Sequence, residues 1–474
     1  MNKIILLFAL VVWGGACSSQ KVIPNKIQQA VDEFAADTSF TAAGIGILIK
    51  DVEKDEILAQ YNAKMALTPA SSQKLITTAT ALEVLGSNYQ FTTSIKTDGK
   101  LEDGMLKGNL IVQGAGDPTL ESKFFDTQKN IAAKIVAQLT KRNIKLIHGK
   151  IITDNSYFKS SIPRTWIWED IGNYYGAVPN SINYRDNMYS LHFASGKAGQ
   201  KTRIVKTTPQ NTGLEFDNQV LSSEINRDLA YIYGGSTSNL RRIEGSIPQY
   251  RKDFKVKGAF LNPEKALLED LKTELKKNHI RILNNAKITP TKASKLFEIR
   301  SPRLSEIVYL TNQKSVNLFA DQLLFEIGAK QNGKASWKSG VNEIKKFWQE
   351  KGIETKYQSL FDGSGLSHFN AVSADFFSQI LSWMYRSPNF NIFLSSLPVS
   401  GKSGTLKHFG KGSQLTSNWM AKTGSMTNVI SYCGYLNTCN EKTYSTCILI
   451  NNYNCSTKEL NNKLIKLLIT IYNS

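Results

Sequence analysis

Apolar residues recur at two different spacings along this chain, and the change of spacing divides it. Residues 25–37 (NKIQQAVDEFAAD) have helical spacing, and GIGILIKD and EILAQYN follow as two strands of a hairpin joined by the polar VEKD. A helix runs from about Ser71 to Leu85, with Gly86 in the place of a C-cap glycine. From about residue 90 to 300 the texture changes to short β-rich runs (GNLIVQG, KLIHGKIITDN, YSLHFAS, RIVKTTP) between Gly-, Asn- and Lys-rich turns, with one helix around 262–277. Helical spacing returns in SEIVYLTNQKSVNLFADQLLFEIGAK and SWKSGVNEIKKFWQEKG. The chain closes with the strand-like NVISYCGYLN and TYSTCILINN and the helical STKELNNKLIKLLITIY. This order predicts an α+β fold in which residues 25–92 and 300–474 form one domain and residues 93–299 are inserted β-rich material.

A length of 474 residues with 41% hydrophobic and 20% charged residues predicts two to four domains with cores of their own and excludes a disordered or collagen-like chain. The net charge of +19 favours anionic partners: nucleic acid, anionic lipid or an acidic wall polymer. The N-terminus chooses among them. MNKIILLFALVVWGGAC (residues 1–17) joins a basic Lys3 to an apolar run from Ile4 to Trp13 and the small residues Gly14-Gly15-Ala16. The run is too short to span a bilayer, for which about 20 apolar residues are needed, and reads as an export signal. Cys17 resembles the acylated cysteine of bacterial lipoproteins, although Gly14 stands where that signal usually has Leu; an ordinary secretory peptide is the alternative. An exported protein meets little nucleic acid, so none is expected as a partner. Cys433, Cys439, Cys447 and Cys455 cluster at the C-terminal end, where an oxidising compartment predicts one or two disulfides bracing a hairpin; three pairings stay open. A zinc site is the rival reading, without a CxxC or a His inside the cluster to support it.

Three short motifs carry candidate chemistry. Ser71-Ser72-Gln73-Lys74 opens a helix, and residues three apart share a helix face, so the Ser71 hydroxyl and the Lys74 ammonium can meet without help from the tertiary fold. A serine hydroxyl attacks when a base takes its proton, and lysine becomes that base when burial and nearby cations lower its pKa. Ser315-Val316-Asn317 projects a hydroxyl and an amide from a turn before the helical LFADQLLFEIG. A second copy, Ser181-Ile182-Asn183, lies in the inserted region with no helix after it and is set aside. Lys422-Thr423-Gly424-Ser425 leads into a strand. Its ammonium and hydroxyl can bind a carboxylate, Gly424 lets a ligand approach the backbone, and a main-chain N–H can hold an oxyanion. Each motif alone reads equally well as a polar turn. The five histidines lack metal-ligand spacing, and Gly401-Lys402-Ser403 lacks the first glycine of a phosphate loop, so no metal or cofactor is expected. Asp362-Gly363-Ser364-Gly365 reads as a tight turn, and the aromatics of WIWEDIGNYY as either a ligand platform or core.

The order S-x-x-K, S-x-N, K-T-G is the motif set of penicillin-binding proteins and class A β-lactamases. The chain resembles the low-molecular-mass class C penicillin-binding proteins, the D-alanyl-D-alanine carboxypeptidase/endopeptidases. The likeness extends through TPASSQK, WIWEDIGNYYGAVPNSINYRDN, DGSGLSHFN, LPVSGKSGTL and AKTGSM, and includes a long insertion that β-lactamases lack. It implies a DD-peptidase/β-lactamase-like domain, an antiparallel sheet flanked by helices. It also implies that Ser71 is the acylated nucleophile and Lys74 its proton acceptor, and that Ser315 and Asn317 shape the relay and bind the substrate amide. Lys422 and Thr423 would hold the terminal carboxylate, with the N–H groups of Ser71 and Ser425 as oxyanion hole. Val316 stands where Asp is frequent, and Ser403 where Asp is usual. His368 replaces an Arg that helps bind the diaminopimelate end of the stem peptide, and Asp170 is the expected partner of the substrate amino group. The implied partners are peptidoglycan stem peptides and β-lactams, and the implied place is the periplasm. The alternatives are a β-lactamase or esterase on the same domain, and a non-catalytic wall-binding lipoprotein.

Overall fold

The two ends of the chain meet in one sheet. A computed structural model describes residues 25–159, 161–210, 212–284 and 292–474; the export signal and Cys17 lie outside these. The N-terminal part contains α1 (Lys26–Ala35), the hairpin of β1 (Gly44–Asp51) and β2 (Glu56–Tyr61), and a 3-10 turn over Ala70–Gln73 that feeds α2 (Lys74–Leu85). Gly86 ends α2 at φ 85°, a backbone angle that costs a glycine nothing. β3 (Thr92–Thr97) leads into the insertion, which includes α3 (Ile131–Lys141), β4 (Leu240–Pro248) and α4 (Pro263–Lys277) and returns through β5 (Ser294–Arg300). β3 and β5 pair antiparallel, Thr92 opposite Arg300 and Thr97 opposite Ser294, so the insertion leaves and rejoins at one place. The C-terminal part runs through α5 (Leu304–Lys314), α6 (Asn317–Asn332), α7 (Trp337–Glu350) and α8 (Ala374–Tyr385). It then adds strands β6 (Trp419–Met426), β7 (Val429–Asn437) and β8 (Thr443–Asn451) and ends with α9 (Thr457–Tyr472).

The five strands lie in the order β2-β1-β8-β7-β6, every neighbour antiparallel, with Ile47 opposite Ile448. Successive side chains point to opposite faces of a strand. One face buries Ile45, Ile47, Ile430, Tyr432, Ile448 and Ile450 with Val31 and Phe34 of α1 and Leu464 and Leu468 of α9. The other buries Leu48, Tyr435 and Leu449 in a cluster shared with α2 and α5–α8. α2 runs through the middle of that cluster and is buried on all sides from Lys74 to Leu82. Its threonine hydroxyls satisfy themselves on carbonyls, Thr77 on Gly363 and Thr78 on Lys74, each at 2.7 Å, which makes the polar content of a central helix affordable.

The insertion has a core of its own, from Ile95 through Leu191 and Ile243 to Leu275. Besides the helix anticipated at α4 it carries α3, whose Ile131, Ile135, Val136 and Leu139 form one buried stripe. The cysteine expectation is corrected: all four described cysteines are free thiols. Register puts Cys433 directly opposite Cys447, both buried in the sheet, but leaves Cys439 exposed beyond the end of β7 and Cys455 half-buried ahead of α9. Among the described residues no helix is long and apolar enough to cross a membrane.

Candidate active site

Ser71 stands on the 3-10 turn that precedes α2, and the edge strand β6 is pressed against that turn. The Ser431 hydroxyl donates to the Pro69 carbonyl and to Ser72 Oγ, and Ser72 Oγ donates to the Lys422 carbonyl at 3.2 Å. Gly424 is required at the closest point. A Cβ there would lie 2.4 Å from the Pro69 carbonyl oxygen and 2.8 Å from the Ser72 nitrogen. The two stretches that hold the S-x-x-K and K-T-G motifs are thus in backbone contact.

Lys74 reaches back one turn, as its spacing predicts, and donates to Ser71 Oγ at 2.9 Å. Its other bonds go to Asn317 Oδ1 and the Ser364 carbonyl, each at 2.6 Å. The side chain is fully buried, and desolvation pulls its pKa from 10.5 down to about 8 against the opposing pull of Asp321 and Asp362. A fall of that size enlarges the neutral, proton-accepting fraction at pH 7 about 300-fold. Asn317 opens α6, and its amide nitrogen donates to the Tyr175 carbonyl at 2.9 Å, which fixes the amide with its oxygen toward Lys74. The insertion therefore supplies a backbone group that orients a residue of the site. Ser315 occupies a left-handed conformation (φ 55°) between α5 and α6, and its hydroxyl accepts from Lys422 Nζ at 3.1 Å. Lys422 is equally buried, and burial and the nearby Lys74 charge hold its pKa well below 10.5.

The Asp362–Gly365 turn does more than reverse the chain. Asp362 accepts from the Gly365 and Ser367 N–H groups (2.8 and 2.6 Å), Asn370 Nδ2 (2.9 Å) and the Trp166 indole (2.8 Å). Asp321, one turn after Asn317 on α6, accepts from the Gly363 N–H at 2.9 Å. Together the two carboxylates hold the turn so that the Ser364 carbonyl meets Lys74. Sequence reasoning passed over both acids. The visible signal for Asp321 is a carboxylate four residues after Asn317 on the same helix face; for Asp362 the local sequence shows only a tight turn, and its donors Trp166 and Gln73 are distant in the chain.

A cleft of about 470 Å³ opens over Ser71, lined by Ser315, Asn317 and Ser425 on one side and by Asp170, Tyr174 and Tyr175 of the insertion on the other. Asp170 and His368 face each other across one end, Nε2 to Oδ2 3.9 Å, and burial raises the Asp170 pKa, with His368 opposing. Thr423 Oγ1 donates to Thr405 Oγ1, a further hydroxyl from the SGKSGTL stretch, at 2.8 Å, and neither Thr423 nor the buried Lys422 is among the residues that line the cleft. Of WIWEDIGNYY, Trp166 is buried on Asp362, Trp168 is exposed, and Tyr174 and Tyr175 line the cleft. The second S-x-N copy is structural: Asn183 Nδ2 bonds Gln322 Oε1 at 3.0 Å and Ser181 Oγ bonds the Phe158 carbonyl at 2.8 Å, both buried. Among the described residues no cluster of His, Cys, Asp or Glu could hold a metal. A buried base on a serine hydroxyl, an oriented amide and a second buried ammonium over an open cleft are equipped for acyl transfer to serine.

The comparisons agree with this chemistry. The chain is similar to the D-alanyl-D-alanine carboxypeptidase DacB of Haemophilus influenzae, 26% identical over 436 residues that cover 89% of this chain and 88% of the relative. It is also 26% identical to the D-alanyl-D-alanine carboxypeptidase of an Actinomadura species, over 87% of this chain and 78% of that one. The solved structure of penicillin binding protein 4 (dacB) from Haemophilus influenzae superposes with a TM-score of 0.77 at 25% identity, covering 93% of this chain and 98% of that chain. The match to the family reaches from residue 27 to residue 470, so the chain belongs to the D-Ala-D-Ala carboxypeptidase 3 (S13) family.

Proposed function

We propose that the protein is a serine D-Ala-D-Ala carboxypeptidase/endopeptidase of peptidoglycan stem peptides that works through an acyl-enzyme on Ser71 and is inactivated by penicillin at the same hydroxyl. The observation that carries this reading is the fully buried Lys74 amine, 2.9 Å from Ser71 Oγ and otherwise bonded only to acceptors. Ser71 Oγ attacks the carbonyl carbon of the penultimate D-Ala while its proton passes to Lys74 Nζ. The N–H groups of Ser71 and Ser425 hold the tetrahedral oxyanion. Collapse breaks the C–N bond, and the leaving amine takes the proton that Lys74 received, relayed through the Ser315 hydroxyl held by Lys422, so that Lys74 is neutral again. Water then attacks the ester, and Lys74 accepts its proton in turn. Lys422 and Thr423 receive the substrate's terminal carboxylate, and Asp170 its side-chain amino group. His368 beside Asp170 gives that end of the cleft an imidazole in place of a permanent cation. Residues 93–299 form the inserted domain that closes the cleft.

Fluorescent penicillin and defined muropeptides, monomeric and cross-linked, test the assignment. Wild type becomes labelled at Ser71 and releases D-Ala or splits the cross-link, as read by mass, whereas Ser71→Ala does neither. Labelling of Ser71→Ala at the wild-type rate would overturn the reading. We also assign residues 1–17 to an export signal and Cys17 to lipid attachment in the periplasm. Cys17→Ser should then move the protein from the membrane to the soluble fraction.

A further inference from the structure

The insertion holds a buried arginine in a position built for an apolar side chain. β4 alternates outward and inward residues, and its inward row is Arg241, Ile243 and Ile247, with Arg241 only 2% exposed. Space has been made for it: a Cβ at Gly234 would lie 2.5 Å from Arg241 Cδ. Nη1 donates to the Ser238 and Leu240 carbonyls at 2.7 and 2.9 Å, but Nε is buried with no partner. Among the described residues no carboxylate pairs with the guanidinium, and a buried charge left in that condition is costly. The side chain lines a cavity of about 510 Å³ between β4 and α4, which Lys265 and Lys272 of α4 also line. Glu269, the acid of that lining, is tied to Lys272 at 2.8 Å, so three cations face one acid already in use.

We infer that this cavity, apart from the catalytic cleft, is a binding site for an oxyanion, a carboxylate or phosphate group that completes the bonding of Arg241. A guanidinium is a planar fork suited to two oxygens at once, and Lys265, also in the lining, adds charge to the cavity. Two sources offer this chemistry to an exported wall protein: the carboxylates of stem peptides and phosphate groups.

Calorimetric titration and thermal melting of the full protein, with inorganic phosphate in one arm and a stem tetrapeptide in the other, test the site and separate the sources. In wild type at least one of the two binds and raises Tm. In Arg241→Met that binding weakens about tenfold or more, as loss of a charge-assisted pair requires. Without anion this variant melts no lower than wild type, because an apolar side chain replaces an unpaired charge, and D-Ala release is unchanged. Should Arg241→Met not fold, Lys265→Glu applies the same test at a more accessible position, with the same loss expected. Comparing each variant with wild type keeps tetrapeptide bound in the catalytic cleft out of the reading. Absence of binding in wild type, or equal binding in the variants, would overturn the inference and leave Arg241 as a brace for the Ser238 and Leu240 carbonyls.

Discussion

Gly424→Ala tests how closely the nucleophile turn and β6 must approach. The new methyl would lie 2.3 Å from Ser431 Oγ, 2.4 Å from the Pro69 oxygen and 2.8 Å from the Ser72 nitrogen, where ordinary contact begins at 3.4 Å. The serine can rotate away, but the other two atoms are backbone of the turn that holds Ser71. Relief therefore needs a separation of about 1 Å between β6 and that turn, the size of strain that costs about 1–3 kcal/mol in a well-packed protein. The same movement would stretch a 2.9 Å hydrogen bond from Ser425 N–H to an oxyanion on Ser71 to about 3.9 Å, beyond bonding range. Losing one such donor slows acyl transfer about 100- to 1,000-fold, or about 2.7–4 kcal/mol of barrier. The assay is the second-order rate of Ser71 labelling by fluorescent penicillin, with circular dichroism and melting run on the same preparation. We expect a folded protein with lowered Tm and labelling slowed about 100-fold. A folded variant that labels at the wild-type rate would refute the claim that this contact sets the oxyanion geometry.

The pH dependence follows from Lys74: its neutral form is the base, so acylation rises with pH toward a plateau, with a midpoint near its pKa of about 8. A flat profile from about pH 6 to about pH 9 would exclude Lys74 as the titrating base. Asn317→Asp places a carboxylate where an amide oxygen now sits 2.6 Å from Lys74 Nζ, which favours the ammonium. Its midpoint should move upward and its rate at neutral pH fall, both measurable in the same labelling assay. Asp362→Asn puts an NH₂ among five donors and should cost at least about 1.5–3 kcal/mol, seen as a lower urea midpoint. It should also slow labelling, because the Ser364 carbonyl loses its support. Trp348→Ala, at a fully buried site whose indole bonds Thr80 Oγ1 at 2.9 Å, should cost about 3–5 kcal/mol by the same denaturation measurement.

The S-x-x-K contact was readable because it is local. One turn of helix brings Ser71 and Lys74 together whatever surrounds them, and the observed 2.9 Å needs nothing from the rest of the chain. The hairpin of β1 and β2 and the long helices were readable for the same reason, since period-2 and period-3.6 patterns record which face of a single element is buried. α3 had its apolar stripe in plain sight, though the strands around it hid the pattern. Tertiary structure alone decided the rest. Lys422 meets Ser315 at 3.1 Å across 107 residues, and Asn317 meets the Tyr175 carbonyl across 142, because sheet order and the docking of the insertion put them there. The Lys74 pKa is lowered because α2 lies in the middle of the molecule, and burial is a property of the assembled core. The cysteines make the same point from the other side: adjacent in sequence terms, they are dispersed by strand register and loop exit to one opposed pair and two separate positions. Neighbours within a turn are fixed by backbone geometry, whereas distant partners and the solvent around them are fixed only by packing.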